Sequence, residues 1–177
     1  MKILNMKNKK TDLSRCIIML GTMLFLIFID QISKFLTVSQ IPLHDEVNVL
    51  SGVFHLTYAQ NTGAAFSMLK GHQWLFVVIV IILLIYSVWE FWHKSLPFKE
   101  FERWCIVAIL AGGISNNLID RLRFGYVIDM IELDFINFPV FNLADCFITC
   151  GCSLLLFHLV FFNRDFWNEK EKYSKTK

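Results

Sequence analysis

The stretch GGISNNLIDRLRFGYVIDM, Gly112 to Met130, followed by FNLADC at Phe141 to Cys146, decides how the rest of the chain is read. Five acids fall between Asp120 and Asp145, and two of them, Asp129 and Asp145, stand beside the outer ends of apolar runs. A carboxylate at the centre of an inserted helix costs about 2.5–3.5 kcal/mol. An acid kept so near hydrocarbon marks a functional site by default, provided that a bundle interior or a wet cavity receives it.

Working outward, the apolar run ahead of these acids starts near Trp104 and ends at Ile114. That is too short to cross a bilayer, which takes ~20 residues. It crosses only by carrying Asn116, Asn117, Asp120 and Arg121 at its far end. Ala108, Gly112 and Asn116 recur every fourth residue, as do Ala111 and Ser115, so a small-residue face can receive a neighbouring helix and turn the polar end inward. A further apolar run begins at about Leu143, and Trp74 to Trp89 is free of charge. The first run, Cys16 to Ile29, continues to Leu36. Its basic head resembles a secretory signal, but no small-residue cleavage site follows, and it is expected to be a retained span.

The expected fold is therefore an all-α membrane protein in one integral domain. Its spans fall at about 16–36, 72–92, 102–121 and 143–163, with outer segments 37–71 and 122–142. Within the first outer segment, VNVLSGVFHLTYA alternates as strands do, which predicts a small β-rich extracytoplasmic part. Composition agrees: 55% of the 177 residues are hydrophobic and 18% charged, more apolar than a soluble domain. The net charge of +2, without a basic–aromatic groove pattern, gives no sign of nucleic acid.

Thirteen of the seventeen Lys and Arg lie in the two tails or between the second and third spans, among them Arg15, Lys94, Lys99, Arg103 and Arg164. The positive-inside rule puts these segments and both termini in the cytoplasm. Asp30, Lys34, Asn61, Asn117, Asp120, Arg121, Asp129, Asn142 and Asp145 then gather at the opposite, outer face. The cysteines are odd in number, none lies in segment 37–71, and Cys150-Gly-Cys152 has no matching pair. They read as apolar thiols rather than disulfides or a metal site. Trp89, Trp92 and Trp167 fit an interfacial belt, and His44, His55 and His72 fit solvated side chains.

Each polar motif also has a plainer reading. Asp30 and Lys34 are spaced i, i+4 and read first as an ion pair, with Lys34 snorkelling outward. Asn142 and Asp145 have the spacing of an N-cap and its N3 acid. Asn117, Asp120 and Arg121 share a helical face and fit a buried packing cluster. Asn61-Thr-Gly-Ala-Ala-Phe66 reads as a turn with Gly63 at positive φ.

Taken together, D-Q-I-S-K at Asp30–Lys34, N-T-G-A-A-F at Asn61–Phe66, N-L-I-D-R-L-R-F-G-Y-V-I-D at Asn117–Asp129 and F-N-L-A-D at Phe141–Asp145 form an ordered set. This set resembles the bacterial lipoprotein signal peptidase (signal peptidase II) family, over nearly the whole chain between the tails. The resemblance implies an aspartic endopeptidase of the bacterial cytoplasmic membrane, with its active site at the outer face. Such an enzyme removes signal peptides from prolipoproteins by cutting before a cysteine that already carries diacylglycerol. It implies Asp129 and Asp145 as the catalytic pair, with Asp30, Lys34, Asn61, Gly63, Asn117, Arg121 and Asn142 in support. The expected partners are the lipidated precursor and membrane lipids, the chain acting as a monomer without metal or other cofactor. Where the family usually has Gly before the Asn, this chain has Asn116.

The chemistry also stands on its own. Peptide hydrolysis without metal or side-chain nucleophile needs a base for water and an acid for the scissile group. Two carboxylates sharing one proton supply both, because neither ionises easily beside a charged neighbour. A proton-coupled transporter would also keep intramembrane acids, but at mid-depth in several spans rather than at one rim. A scaffold would use the small-residue face and leave the acids unexplained.

Overall fold

The computed structural model describes residues 2–63, 73–93, 96–164 and 166–167, with side chains described from Leu13 onward. Among these residues, four helices and three strands follow in the order α1 (Lys2–Gln40), β1 (Glu46–Leu50), β2 (Phe54–Asn61), α2 (Gln73–His93), α3 (Glu100–Phe124), β3 (Val127–Leu133) and α4 (Leu143–Phe161). Each helix is long and apolar enough to cross a membrane: 28 residues of α1 from Leu13, 21 of α2, 25 of α3 and 19 of α4.

The apolar surface shows which way these helices face. Half of the most apolar stretch of α3 is buried, against 11–17% in the other three. The outer helices instead expose Phe25 and Phe28, Ile82 and Ile85, Phe157 and Phe161, as surfaces solvated by lipid tails do. The expected small-residue face of α3 lies against α4. A Cβ on Gly112 would run into the Ala144 carbonyl oxygen and come within 2.7 Å of Ile148 Cγ1. Across the same interface, a Cβ on Gly151 would meet Ile109 Cγ1 at 2.8 Å. Only glycine lets the backbones approach this closely.

The polar end of α3 departs from α-helical winding. Over Ile114–Asp120 it opens into π-helix, with the Arg121 N–H bonded to the Asn116 carbonyl five residues back. The wider turn places Ser115, Asn116 and Asp120 together in the interior. Gly125, at φ 79°, ends the helix with its N–H on the Arg121 carbonyl.

The expected strand-like stretch forms β1 and β2, an antiparallel hairpin turning through Gly52 at φ 76°. β3, from the second outer segment, adds antiparallel to β2, in the order β1-β2-β3. The alternation in 37–71 had no visible partner in 122–142, so the third strand was not expected. Tyr58, Ile128 and Ile41 pack the sheet onto the end of α1. A bridge from Ile131 to Phe141 then returns the chain to the start of α4. The observed helices overrun the expected spans: α1 reaches Gln40 and α3 reaches Phe124. Residues 64–71 of the first outer segment, with Lys70, lie outside the described residues, as do His72, Lys94 and the last-tail lysines. The five cysteines are free.

Candidate active site

Asp129 and Asp145 reach one cavity from different elements. Residue 129 is in the middle of β3, paired with Ala59 beside an irregularity in the β2–β3 register. Residue 145 is in the first turn of α4, whose N-cap is Asn142. The two acids share the wall of a cavity of about 500 Å³ with Phe76, Phe141 and Ile148.

Asn142 ties the acids together. Its Nδ2 donates to Asp129 Oδ1 at 2.7 Å, while its Oδ1 accepts the Asp145 N–H at 3.0 Å. The Asn142 N–H in turn donates to Asp145 Oδ2 at 3.2 Å. The expected capping box is present, and the same side chain bonds the other acid as well. Asn61 Nδ2 donates to the second oxygen of Asp129 at 2.9 Å. Burial pushes the Asp129 carboxyl up to about 7, assisted by the charge on Asp145 and opposed by the Asn61 and Asn142 hydrogen bonds and by Lys34.

Beneath the pair lies a buried ionic cluster. Asp30 is fully buried and accepts from Lys34 Nζ at 2.7 Å, Ser115 Oγ at 2.6 Å and the Ala144 N–H at 2.8 Å. Asp120 accepts from Lys34 Nζ at 2.8 Å and Gln31 Nε2 at 2.7 Å. The expected Asp30–Lys34 pair is thus found, but Lys34 does not snorkel: it is 1% exposed and points inward. Its ammonium has three hydrogens, and Asp30, Asp120 and Asn116 Oδ1 accept all three, so it does not need water.

The remaining expected residues divide. Arg121 Nη2 donates to the Gly63 carbonyl, Nε donates to Asn117 Oδ1 at 3.0 Å, and the guanidinium lies 4.9 Å from the Phe76 ring centroid. Gly63 does not take the expected positive φ; among described glycines that conformation belongs to Gly52 and Gly125. Its turn is closed instead by the Gly63 N–H on Asn61 Oδ1 at 2.9 Å, an Asx turn that needs no left-handed residue. Asn117 lines the cavity but gives its amide to the Gly113 carbonyl. Its neighbour Asn116 is the one that touches an acid, with Nδ2 2.9 Å from Asp145 Oδ1.

His55 is not a freely solvated side chain either. Its Nδ1 lies 2.6 Å from Asp134 and its Nε2 3.2 Å from Glu132, which raises its pKa, the Asp134 hydrogen bond contributing most. Among the described residues, Glu46, His55 and Glu132 bring possible metal-ligand atoms within 4.8 Å of one another, on the sheet and not in the cavity with the acid pair.

The profile of one protein family, Signal peptidase (SPase) II, matches residues 22–161. The chain belongs to that family. Lipoprotein signal peptidases of Streptococcus pyogenes serotype M1 and of serotype M5 strain Manfredo are 42% and 41% identical to it, each over 85% of this chain and 93% of theirs. Two solved structures of bacterial membrane enzymes share the fold. One has a TM-score of 0.76 and 29% identity, covering 83% of this chain and 90% of that one. The other has 0.72 and 30%, covering 81% and 93%. As a signal peptidase II family member with four apolar helices, the chain is a multi-pass membrane protein and a peptidase.

Proposed function

We propose that the chain is an aspartic endopeptidase that removes signal peptides from diacylglyceryl-modified prolipoproteins, with Asp129 and Asp145 as its catalytic pair. The observation that carries this reading is that both acids, from β3 and α4, open on one cavity and are held by the same Asn142 side chain. Two carboxyl groups in that setting titrate as a unit holding one proton near neutrality. The ionised member takes a proton from water, whose oxygen attacks the scissile carbonyl. The protonated member gives its proton to the carbonyl oxygen. Collapse of the tetrahedral intermediate returns a proton to the leaving amine and frees both products. No metal or other cofactor enters these steps.

The other polar residues support this chemistry. Asp30 and Lys34 anchor the start of α4, Asn142 and Asn61 aim the Asp129 oxygens, and Arg121 holds the Gly63 turn at the cavity. Asn117 completes the Arg121 contact. The precursor, with a transmembrane signal helix and acyl chains, reaches the apolar side of the cavity laterally through the membrane lipids. The site faces outward from the cytoplasmic membrane with both termini in the cytoplasm. One chain supplies every group named, so a monomer suffices.

The test is cleavage of a diacylglyceryl-modified precursor by purified Asp129→Asn and Asp145→Asn proteins. Both are expected to lose roughly a hundred- to ten-thousand-fold in kcat, the usual worth of a general acid or base, while remaining folded in detergent. Retained turnover in both variants refutes the pair.

A further inference from the structure

The least expected group at the site is Asn116, since Asn117 was the asparagine expected to support the acid pair. Asn116 is 5% exposed and touches both the ionic cluster and the acid pair. We infer that Asn116 is a positioning residue for the proposed reaction: its amide transmits the fixed polarity of Lys34 to Asp145 and Asn142. The inference rests on the two-aspartate reading.

The direction of the amide follows from hydrogen-bond chemistry. An ammonium only donates, so the Asn116 atom 2.6 Å from Lys34 Nζ must be the carbonyl oxygen. Its Nδ2 then points the other way, 2.9 Å from Asp145 Oδ1 and 3.3 Å from Asn142 Oδ1. Asn142 accepts on that oxygen from the Asp145 N–H also, which turns its own Nδ2 to Asp129 Oδ1 and the Ile128 carbonyl. Donors therefore run one way, from Lys34 through Asn116 and Asn142, and end on the two carboxylates. Neither amide can flip without setting donor against donor at Lys34 or oxygen against oxygen at an acid. A glycine at 116 leaves Lys34 to Asp30 and Asp120, and removes the side-chain donor from Asp145 Oδ1.

Rate is therefore affected through the orientation and charge balance of the pair, not through substrate contact. The charged groups around this junction are Asp30 and Lys34 from α1, Asp120 and Arg121 from α3, Asp129 from β3 and Asp145 itself.

The experiment compares wild type, Asn116→Asp, Asn116→Gly and Asp145→Asn as full-length protein in detergent, with a lipidated precursor peptide as substrate. Asn116→Asp is isosteric and keeps an acceptor for Lys34, but presents an oxygen to Asp145. Its kcat is expected to fall roughly ten- to hundred-fold, the worth of a hydrogen bond to a charged group, with little change in KM. The acid limb of its pH–rate profile is expected to move to higher pH. Asn116→Gly, which removes the amide altogether, is expected to lose roughly ten-fold in kcat and carries the test should the aspartate variant not fold. The inference is overturned if either folded variant keeps the wild-type kcat and pH profile while Asp145→Asn is inactive. It is overturned also if only the unfolding midpoint changes, which would make Asn116 a packing residue. Should Asp145→Asn itself cleave, the two-aspartate reading fails first and takes this inference with it.

Discussion

Asn142 carries more of the site than its place at the end of a loop suggests. It caps α4, bonds both atoms of the Asp145 capping box and donates to Asp129, all while fully buried. Replacing it with alanine removes one donor to a carboxylate and the N-cap together. A bond to a charged group is worth about 1.5–3 kcal/mol, so kcat for precursor cleavage by Asn142→Ala is expected to fall roughly ten- to hundred-fold. Loss of the cap costs about 1 kcal/mol more in stability, read as a lower unfolding midpoint. Lys34 shows the complementary case of a buried cation. Its two carboxylates and one amide oxygen leave it no unpaired hydrogen, so the cation is not left orphaned in the bundle.

At the scale of elements, the α3–α4 contact sets where Asp145 can be. Gly112 touches the carbonyl of Ala144, the residue next to the acid. In Gly112→Leu the side chain has no space at backbone atoms that cannot give, and overpacking of this kind costs about 1–3 kcal/mol. The expected result is inserted protein with cleavage largely abolished, since α4 must move away and carry Asp145 with it. Wild-type turnover by this variant would show that the close approach is not needed. The sheet makes a different prediction through His55, which joins β2 to Glu132 on β3 and to Asp134 beyond it. Its folded pKa is raised above 6.5, so its stabilising contribution is full below 6.5 and is lost as pH rises through the raised value. Hydrogen exchange of the β2–β3 amides is expected to be slower at pH 6 than at pH 8 after correction for intrinsic rates. His55→Gln is expected to remove that difference.

For the whole molecule, the helices and the two acids that line one cavity were legible for physical reasons. Long apolar runs are the strongest signal a sequence carries, and acids beside them stand out because they are costly there. The spacing of Ala108, Gly112 and Asn116 marked the face of α3 that meets α4, and Gly112 is indeed at the contact. Other features were hidden for equally physical reasons. β3 is four buried residues followed by three half-buried ones, a pattern without the alternation that betrays a half-solvated strand. The inward turn of Lys34 was hidden because an i, i+4 ion pair has the same spacing on a lipid face and on an interior face. Asn116, not Asn117, reaches Asp145 because the π-helical turn shifts the register by one residue, and nothing in the local sequence announces that shift.

These scales meet in one claim, that Asp129 and Asp145 feel each other across the cavity and hold a proton between them. Difference infrared spectroscopy of the carboxyl band, followed through a pH titration, reads that proton directly. In wild-type protein a buried carboxyl is expected to titrate near 7, absent from Asp129→Asn and moved to lower pH in Asp145→Asn, where the neighbouring charge is gone. A spectrum in which no carboxyl titrates near neutrality, or in which the Asp145→Asn midpoint equals that of wild type, would contradict the account.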